Sequence, residues 1–99
     1  MDGLTAIAFV LEAFEQRHPT PPANFRDYTG TSARGPDHDG NYIVSFVWQR
    51  KDSHHGADSF FEAMVSGWNA HTTVLLDTPL DDFHPEDFEL YRSAPARET

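Results

Sequence analysis

The sequence predicts an α+β fold in a single small domain. An N-terminal amphipathic helix is expected to pack on one face of an antiparallel sheet, with a short second helix following. Three observations lead to this prediction. Residues 2–17 repeat apolar side chains at helical spacing, and residues 41–50 alternate them at strand spacing. The chain has 99 residues, the length of one domain with a modest core.

The first element is a helix over residues 2–17. Its apolar stripe consists of Leu4, Ile7, Leu11 and Phe14. Asp2 can cap the first turn. The segment 18–22 contains three prolines, which cannot continue a helix. We therefore expect the helix to end before this segment and its stripe to face the sheet.

Three further segments are predicted to be strands. Residues 24–32 are expected to form the first strand, and 33–40 have the composition of a turn. Residues 41–50 give the strongest strand pattern, because one face is wholly apolar and the other is mixed. The apolar face consists of Tyr42, Val44, Phe46 and Trp48. Residues 72–76 are β-branched and apolar, which predicts another strand.

Two segments are compatible with more than one structure. Ser59 to Glu62 has the form of a helix capping box, and apolar side chains continue at helical spacing, so we predict a helix over 59–69 with a strand as the alternative. Residues 84–91 begin as a helix does, with Pro85 at the first position, but they could also close the sheet as an edge strand. Residues 93–99 are expected to be a disordered tail of the single domain 1–99.

Composition favours a cytoplasmic protein. The chain has no cysteine, which is typical of a reducing compartment. The N-terminus has Asp2 and no early cation, so a signal peptide is not expected. No apolar run approaches the ~18 residues of a membrane span. We expect no membrane association.

The most distinctive feature is an acidic segment. Residues 52–91 contain nine carboxylates and no lysine or arginine, while the whole chain carries a formal charge of -9. Its densest part predicts a partner-binding site made of Asp77, Asp81, Asp82, Glu86, Asp87 and Glu89. A surface of one sign repels nucleic acid and attracts basic partners. The predicted partner is a basic protein or nucleoprotein complex, without direct nucleic-acid binding, and a homodimer is compatible with the sequence.

Other residues offer only weak candidates for chemistry. His54, His55 and Asp58 have the side chains that bind zinc, but adjacent histidines diverge on any regular element. The segment 37–41 resembles part of a calcium loop, yet it is better explained as a tight turn. The sequence contains neither the nucleophile motifs Gly-x-Ser-x-Gly and Ser-x-x-Lys nor the phosphate-binding motifs Gly-x-Gly-x-x-Gly and Gly-Lys-Ser/Thr. We therefore expect no metal, no cofactor and no enzyme activity.

Together these features suggest a small acidic binding protein that occludes a basic, nucleic-acid-handling or toxin partner. An inhibitor, an anti-defence protein or an immunity protein would fit, and a strip of carboxylates could also imitate nucleic acid. The alternative is a structural or oligomerisation domain whose acids serve only solubility. A small metal-dependent enzyme is the third possibility. Most of the aromatic side chains, including both tryptophans, are expected to lie in the core.

Overall fold

The described chain, residues 1–81 and 83–91 of a computed structural model, folds as a helix laid across a four-stranded antiparallel sheet. The helix is α1 (Gly3–Arg17), and the strands are β1 (Thr29–Arg34), β2 (Tyr42–Trp48), β3 (Asp58–Val65) and β4 (Thr72–Asp77). Their order in the sheet is β1-β2-β3-β4, so each strand pairs with its neighbour in the sequence. The predicted α+β class and the helix-on-sheet arrangement are confirmed.

Helix α1 begins and ends where the sequence indicates. The Oδ1 atom of Asp2 accepts a hydrogen bond from the backbone N–H of Thr5 at 2.8 Å. This bond also lowers the pKa of the Asp2 carboxyl, because it favours the ionised form. At the other end, the N–H of His18 donates to the carbonyl of Phe14 at 2.8 Å before the proline-rich segment. Asp2 is therefore the N-cap, as predicted.

The face that α1 turns to the sheet differs from the predicted stripe. The buried residues of the helix are Ala6, Val10 and Phe14. Leu4 is 79% exposed, so its predicted place in the core is wrong. The helix is rotated towards Ala6 and Val10, whose small side chains let its backbone lie close to the sheet. Ile7 and Leu11 pack at the flank of this contact and are only partly buried.

The apolar face of β2 forms the floor of the core, as predicted. Tyr42, Val44 and Phe46 are buried beneath the helix. Each pairs with a buried residue of β3, and these partners are Val65, Ala63 and Phe61. Aromatic rings fill the remaining space, since Phe25, Phe83 and Phe88 are also buried. Trp48 stacks on Phe60 with ring centroids 4.4 Å apart.

The predicted helix over 59–69 is wrong, because Asp58–Val65 form strand β3. Pairing with β2 shifts register between Phe46 and Val47, and this β-bulge leaves Phe60 opposite no residue. A bulge lets two adjacent side chains point to one face of a sheet. Phe60 and Phe61 are both buried for this reason, which a regular strand would not allow.

The remaining predicted boundaries need smaller corrections. The proposed strand 24–32 begins with a 3-10 turn at Phe25–Tyr28, and β1 then continues to Arg34. Near the C-terminus both alternatives occur in part: Pro85–Asp87 form a 3-10 turn, and Phe88 then makes an isolated antiparallel bridge to Arg50. The predicted tail 93–99 lies outside the described residues. No helix in residues 1–81 and 83–91 has the length and apolar character needed to cross a membrane.

Candidate interaction surface

The six predicted partner-binding acids do not share one environment. Asp77 lies at the end of β4 and contacts the end of α1. Its Oδ2 accepts a hydrogen bond from Arg17 at 3.1 Å, and its Oδ1 lies 2.7 Å from Nε2 of His18. Both oxygens of this carboxylate therefore have partners within the same chain. Asp77 therefore serves to join the helix to the edge strand.

These contacts set the acidity of Asp77. Partial burial raises the pKa of the carboxyl, but the hydrogen bonds from His18 and Arg17 outweigh burial and hold it below its ordinary value. The ionised form is thus more favourable in the folded chain than in the unfolded chain. Its contribution to stability is complete above the unfolded pKa and is lost as the pH falls through the folded one.

We expect Asp77→Asn to reduce the free energy of unfolding by about 0.5–1.5 kcal/mol at neutral pH, since the Arg17 partner is half exposed and solvent screens it. The difference between the variant and the original chain should shrink as the pH falls below the unfolded pKa of about 4 and through the lower folded pKa, because the carboxyl is then protonated in both states. Urea titrations at neutral pH and at a pH below the folded pKa of Asp77 measure this difference in the free energy of unfolding. Asp81→Asn is the control, because Asp81 is exposed, and it should change little. A loss that is equal at both pH values would contradict the assignment.

Two of the acids beyond β4 lie close to two cations of the loop that follows β2. Glu86 and Asp87 lie in the 3-10 turn and line a shallow surface depression with Arg50, Lys51 and Asp52. The guanidinium of Arg50 lies 5.0 Å from the centre of the Phe88 ring and 3.8 Å from the carboxylate of Asp52. The acidic segment is continuous in sequence, but folding brings Arg50 and Lys51, from the loop after β2, and Arg17, at the end of α1, close to its carboxylates.

Asp81 and Glu89 are exposed. Asp81 lines a broad depression beside the proline-rich segment. Glu89 donates its backbone N–H to the carbonyl of Gln49 at 2.8 Å, next to the bridge between Phe88 and Arg50. Within the described part of the chain, neither Asp81 nor Glu89 forms a side-chain ion pair. Asp82 lies outside the described residues.

The two weak metal candidates have simpler roles. Nε2 of His55 lies 2.7 Å from Oδ1 of Asp58 on an exposed surface. Residues 1–81 and 83–91 contain no cluster of three His, Asp or Glu side chains placed to hold a metal ion. In the turn before β2, Oδ1 of Asp37 accepts hydrogen bonds from the N–H groups of Asp39 and Asn41, each at 2.9 Å. The bond from Asn41 lowers the pKa of Asp37, so this carboxylate is engaged in turn formation.

The side of the sheet opposite α1 is the feature that sequence reasoning missed. Strand alternation turns one set of side chains away from the helix. We call this surface the open face: Ser32 of β1, Ile43, Ser45 and Val47 of β2, Glu62 and Met64 of β3, and Leu76 of β4. The helix of the described residues lies on the other side. One corner is covered, because the Tyr91 ring lies against Gly30.

A hydrogen-bonded pair lies at the centre of the open face. The hydroxyl of Ser45 donates to Oε2 of Glu62 at 2.8 Å, and Ser45 is buried. Ile43, Val47 and Met64 are half-buried around this pair. Leu76, on the edge strand, is 38% exposed. An apolar surface with one oriented carboxylate is suited to contact with another protein. The mixed second face of 41–50 was the one sequence signal for it.

Trp68 is the most exposed large apolar residue of the described chain, at 90%. It lies in the turn between β3 and β4, so its predicted place in the core is wrong. Its N–H donates to the Ser66 hydroxyl at 3.2 Å. The turn lies at the end of the sheet where β2 begins, while Glu89 lies where β2 ends. Trp68 and Glu89 therefore lie at opposite ends of the sheet.

Comparison of the chain with protein-family models, curated proteins and solved structures finds no match.

Proposed function

We propose that this is a cytoplasmic, non-catalytic binding protein that covers part of a basic partner protein with the open face of its sheet. The observation that carries the proposal is the position of Glu62, held by Ser45 in the middle of half-buried apolar side chains. The partner surface that fits is an apolar segment with lysine or arginine beside it. Inhibitor and immunity proteins act by occlusion of this kind.

The open face has the composition of an interface centre. Its aliphatic side chains are only partly buried, and their remaining accessible area would lose water on association. A carboxylate inside such an area selects a cationic partner, because an unpaired buried charge is costly. Ser45 holds Oε2, and the described residues provide no hydrogen bond to the other carboxylate oxygen. That oxygen is available to a lysine or an arginine.

The exposed acids outside this face have a different role in the proposal. With a formal charge of -9, the molecule attracts basic proteins at long range and raises the rate of encounter. Imitation of nucleic acid is less well supported than protein docking, since Arg17, Arg50 and Lys51 lie among the carboxylates. A regular strip of negative charge is therefore interrupted.

The proposal can be tested with a synthetic amphipathic peptide of leucine and lysine as the probe. Titration followed by backbone amide NMR should move the signals of Ile43, Ser45 and Met64. Glu62→Gln should weaken binding by about threefold or more at low salt. Glu12→Gln is the matched control, because it removes the same charge from the exposed side of α1. Its effect should be under about twofold.

Changes of salt concentration and of charge distinguish direct contact at the open face from long-range attraction by the exposed acids outside it. We expect affinity to fall between about 50 and 300 mM salt, as screening shortens the range of charge attraction. Replacing Asp81, Glu86 and Asp87 by lysine should slow association and leave the map of shifted signals unchanged. Equal effects of the Glu62 and Glu12 variants would overturn the proposal, as would a shift map centred on α1.

If the protein is instead a structural or oligomerisation domain, it should associate with itself in the absence of any partner. If the open face joins two copies, sedimentation should show a dimer that persists at high salt, because apolar contacts are not screened. Met64→Lys should then release monomers. Such a result would replace the binding proposal by oligomerisation.

A further inference from the structure

A cavity of about 310 Å³ lies between the C-terminal half of α1 and the edge strand β1. It is on the helix side of the sheet and is distinct from the open face. Its lining includes the mostly buried rings of Phe14, Phe25, Phe46 and Phe60, the threonines Thr29 and Thr31, and the polar side chains of Glu15, His18 and Arg26. It is large enough for a small ligand, since a cavity of roughly 150 Å³ can hold benzene.

The composition of β1 explains why the space exists. Thr29 and Thr31 pair with Trp48 and Phe46, so they share the face that α1 covers. Their side chains are short, and the residue between them is Gly30. Near its C-terminal end, α1 packs through Phe14 on Phe46 of β2 and Phe61 of β3. The short side chains of Thr29 and Thr31 leave space beside this contact unfilled.

The aromatic walls are fixed by the core. Each of the four phenylalanines is at most 6% exposed. The ring centroids of Phe25 and Phe60 are 5.4 Å apart, and those of Phe14 and Phe46 are 5.5 Å apart. Rings packed at these distances hold one another in edge-to-face contact. The cavity is thus largely formed before any ligand enters.

The polar groups around the cavity are mostly engaged. Glu15 and Arg26 form an ion pair at 3.3 Å, and Nε2 of His18 is bound to Asp77. The Thr29 hydroxyl donates to the carbonyl of Arg26 at 3.4 Å. Thr31 is exposed at the edge of the cavity, and among the described residues its hydroxyl forms no hydrogen bond. The lining thus offers rings and hydroxyls, and its charges are already paired.

We propose that this cavity binds an uncharged single-ring aromatic molecule that carries a hydroxyl group, such as a phenol. The ring would lie against the phenylalanines, and its hydroxyl would form a hydrogen bond with the hydroxyl of Thr31. It would form no hydrogen bond with the ion-paired side chains. The site is independent of the open face, so either proposal can fail without the other.

The test uses 4-methylphenol as the probe, with 4-methylbenzoate as the charged comparison. Titration should give saturable shifts of the backbone amide signals of Thr29, Gly30 and Thr31. Thr31→Leu fills the cavity and should weaken binding by about tenfold or more. Ser32→Leu is the matched control, because Ser32 pairs with Ser45 and points to the opposite face. Its affinity should stay within about twofold.

Mapping on the unaltered chain does not depend on how the variants fold. Shifts that appear only on the open face, or that do not saturate, would overturn the proposal. So would equal binding by the two leucine variants when circular dichroism shows that both are folded. Binding of 4-methylbenzoate as tight as that of 4-methylphenol would overturn the preference for an uncharged ligand.

Discussion

Phe14→Ala is expected to reduce the free energy of unfolding by about 3–5 kcal/mol, the range for removing a buried ring. Phe14 is 5% exposed. Its ring centroid lies 5.1 Å from that of Phe61, 5.5 Å from Phe46 and 6.1 Å from Phe25. The variant would lose contacts with both central strands at once. A loss of this size approaches the whole stability of many small domains, about 5–15 kcal/mol.

Leu4→Ala is the matched control in the same helix. The two residues belong to one stripe in the sequence, yet Leu4 is 79% exposed. Its replacement should change stability by less than about 0.5 kcal/mol. Urea unfolding followed by far-ultraviolet circular dichroism measures both values. Losses of similar size would show that the stripe containing Leu4 faces the sheet, and that α1 is not rotated as described.

The elements with a strong local pattern were predictable from sequence. Asp2 and the prolines after Arg17 define the ends of α1 by their own backbone chemistry. The alternation in β2 needs no partner strand to be recognised, and its inward face is the one predicted. The rotation of α1 was not predictable, because it depends on how closely Ala6 and Val10 approach a sheet formed later in the chain.

Strand β3 shows how a tertiary feature can hide a strand. Adjacent apolar residues at Phe60 and Phe61 violate strand alternation, and the continued aromatic spacing resembles a helix. The β-bulge opposite Phe46 and Val47 removes the conflict, because it turns both rings inward. Since the bulge is a property of the pairing between β2 and β3, the β3 sequence alone does not define it.

The contacts of the acidic segment could likewise not be predicted from its sequence. Its charge was evident, but Asp77 meets Arg17 across 60 positions of sequence. Likewise, Ser45 and Glu62 come together only because β2 and β3 pair in this register. Composition therefore defined the charge of the segment, while the positions of individual carboxylates required the fold.

Gly67→Ala is expected to cost about 1–3 kcal/mol, the range for forcing extra volume into a packed contact. Gly67 lies in the turn between β3 and β4 and contacts the backbone of Gly40, in the turn between β1 and β2. A β-carbon at position 67 would overlap the carbonyl group of Gly40. Because the obstacle is backbone, no side-chain rotation can relieve it, and the two turns would have to separate.

Gly3→Ala provides the control for a glycine replaced without a clash. The nearest atom to a β-carbon at position 3 is the Ala33 β-carbon, at 4.0 Å. Alanine in a helix is expected to leave stability unchanged or raise it by up to about 1 kcal/mol. Urea titration compares the variants, and amide NMR should show the Gly67 variant shifting the signals of Gly40 and Trp68. If Gly67→Ala costs less than about 0.5 kcal/mol and leaves the Gly40 signal in place, the two turns are not in contact. Trp68 would then not be held beside the Asp37 turn.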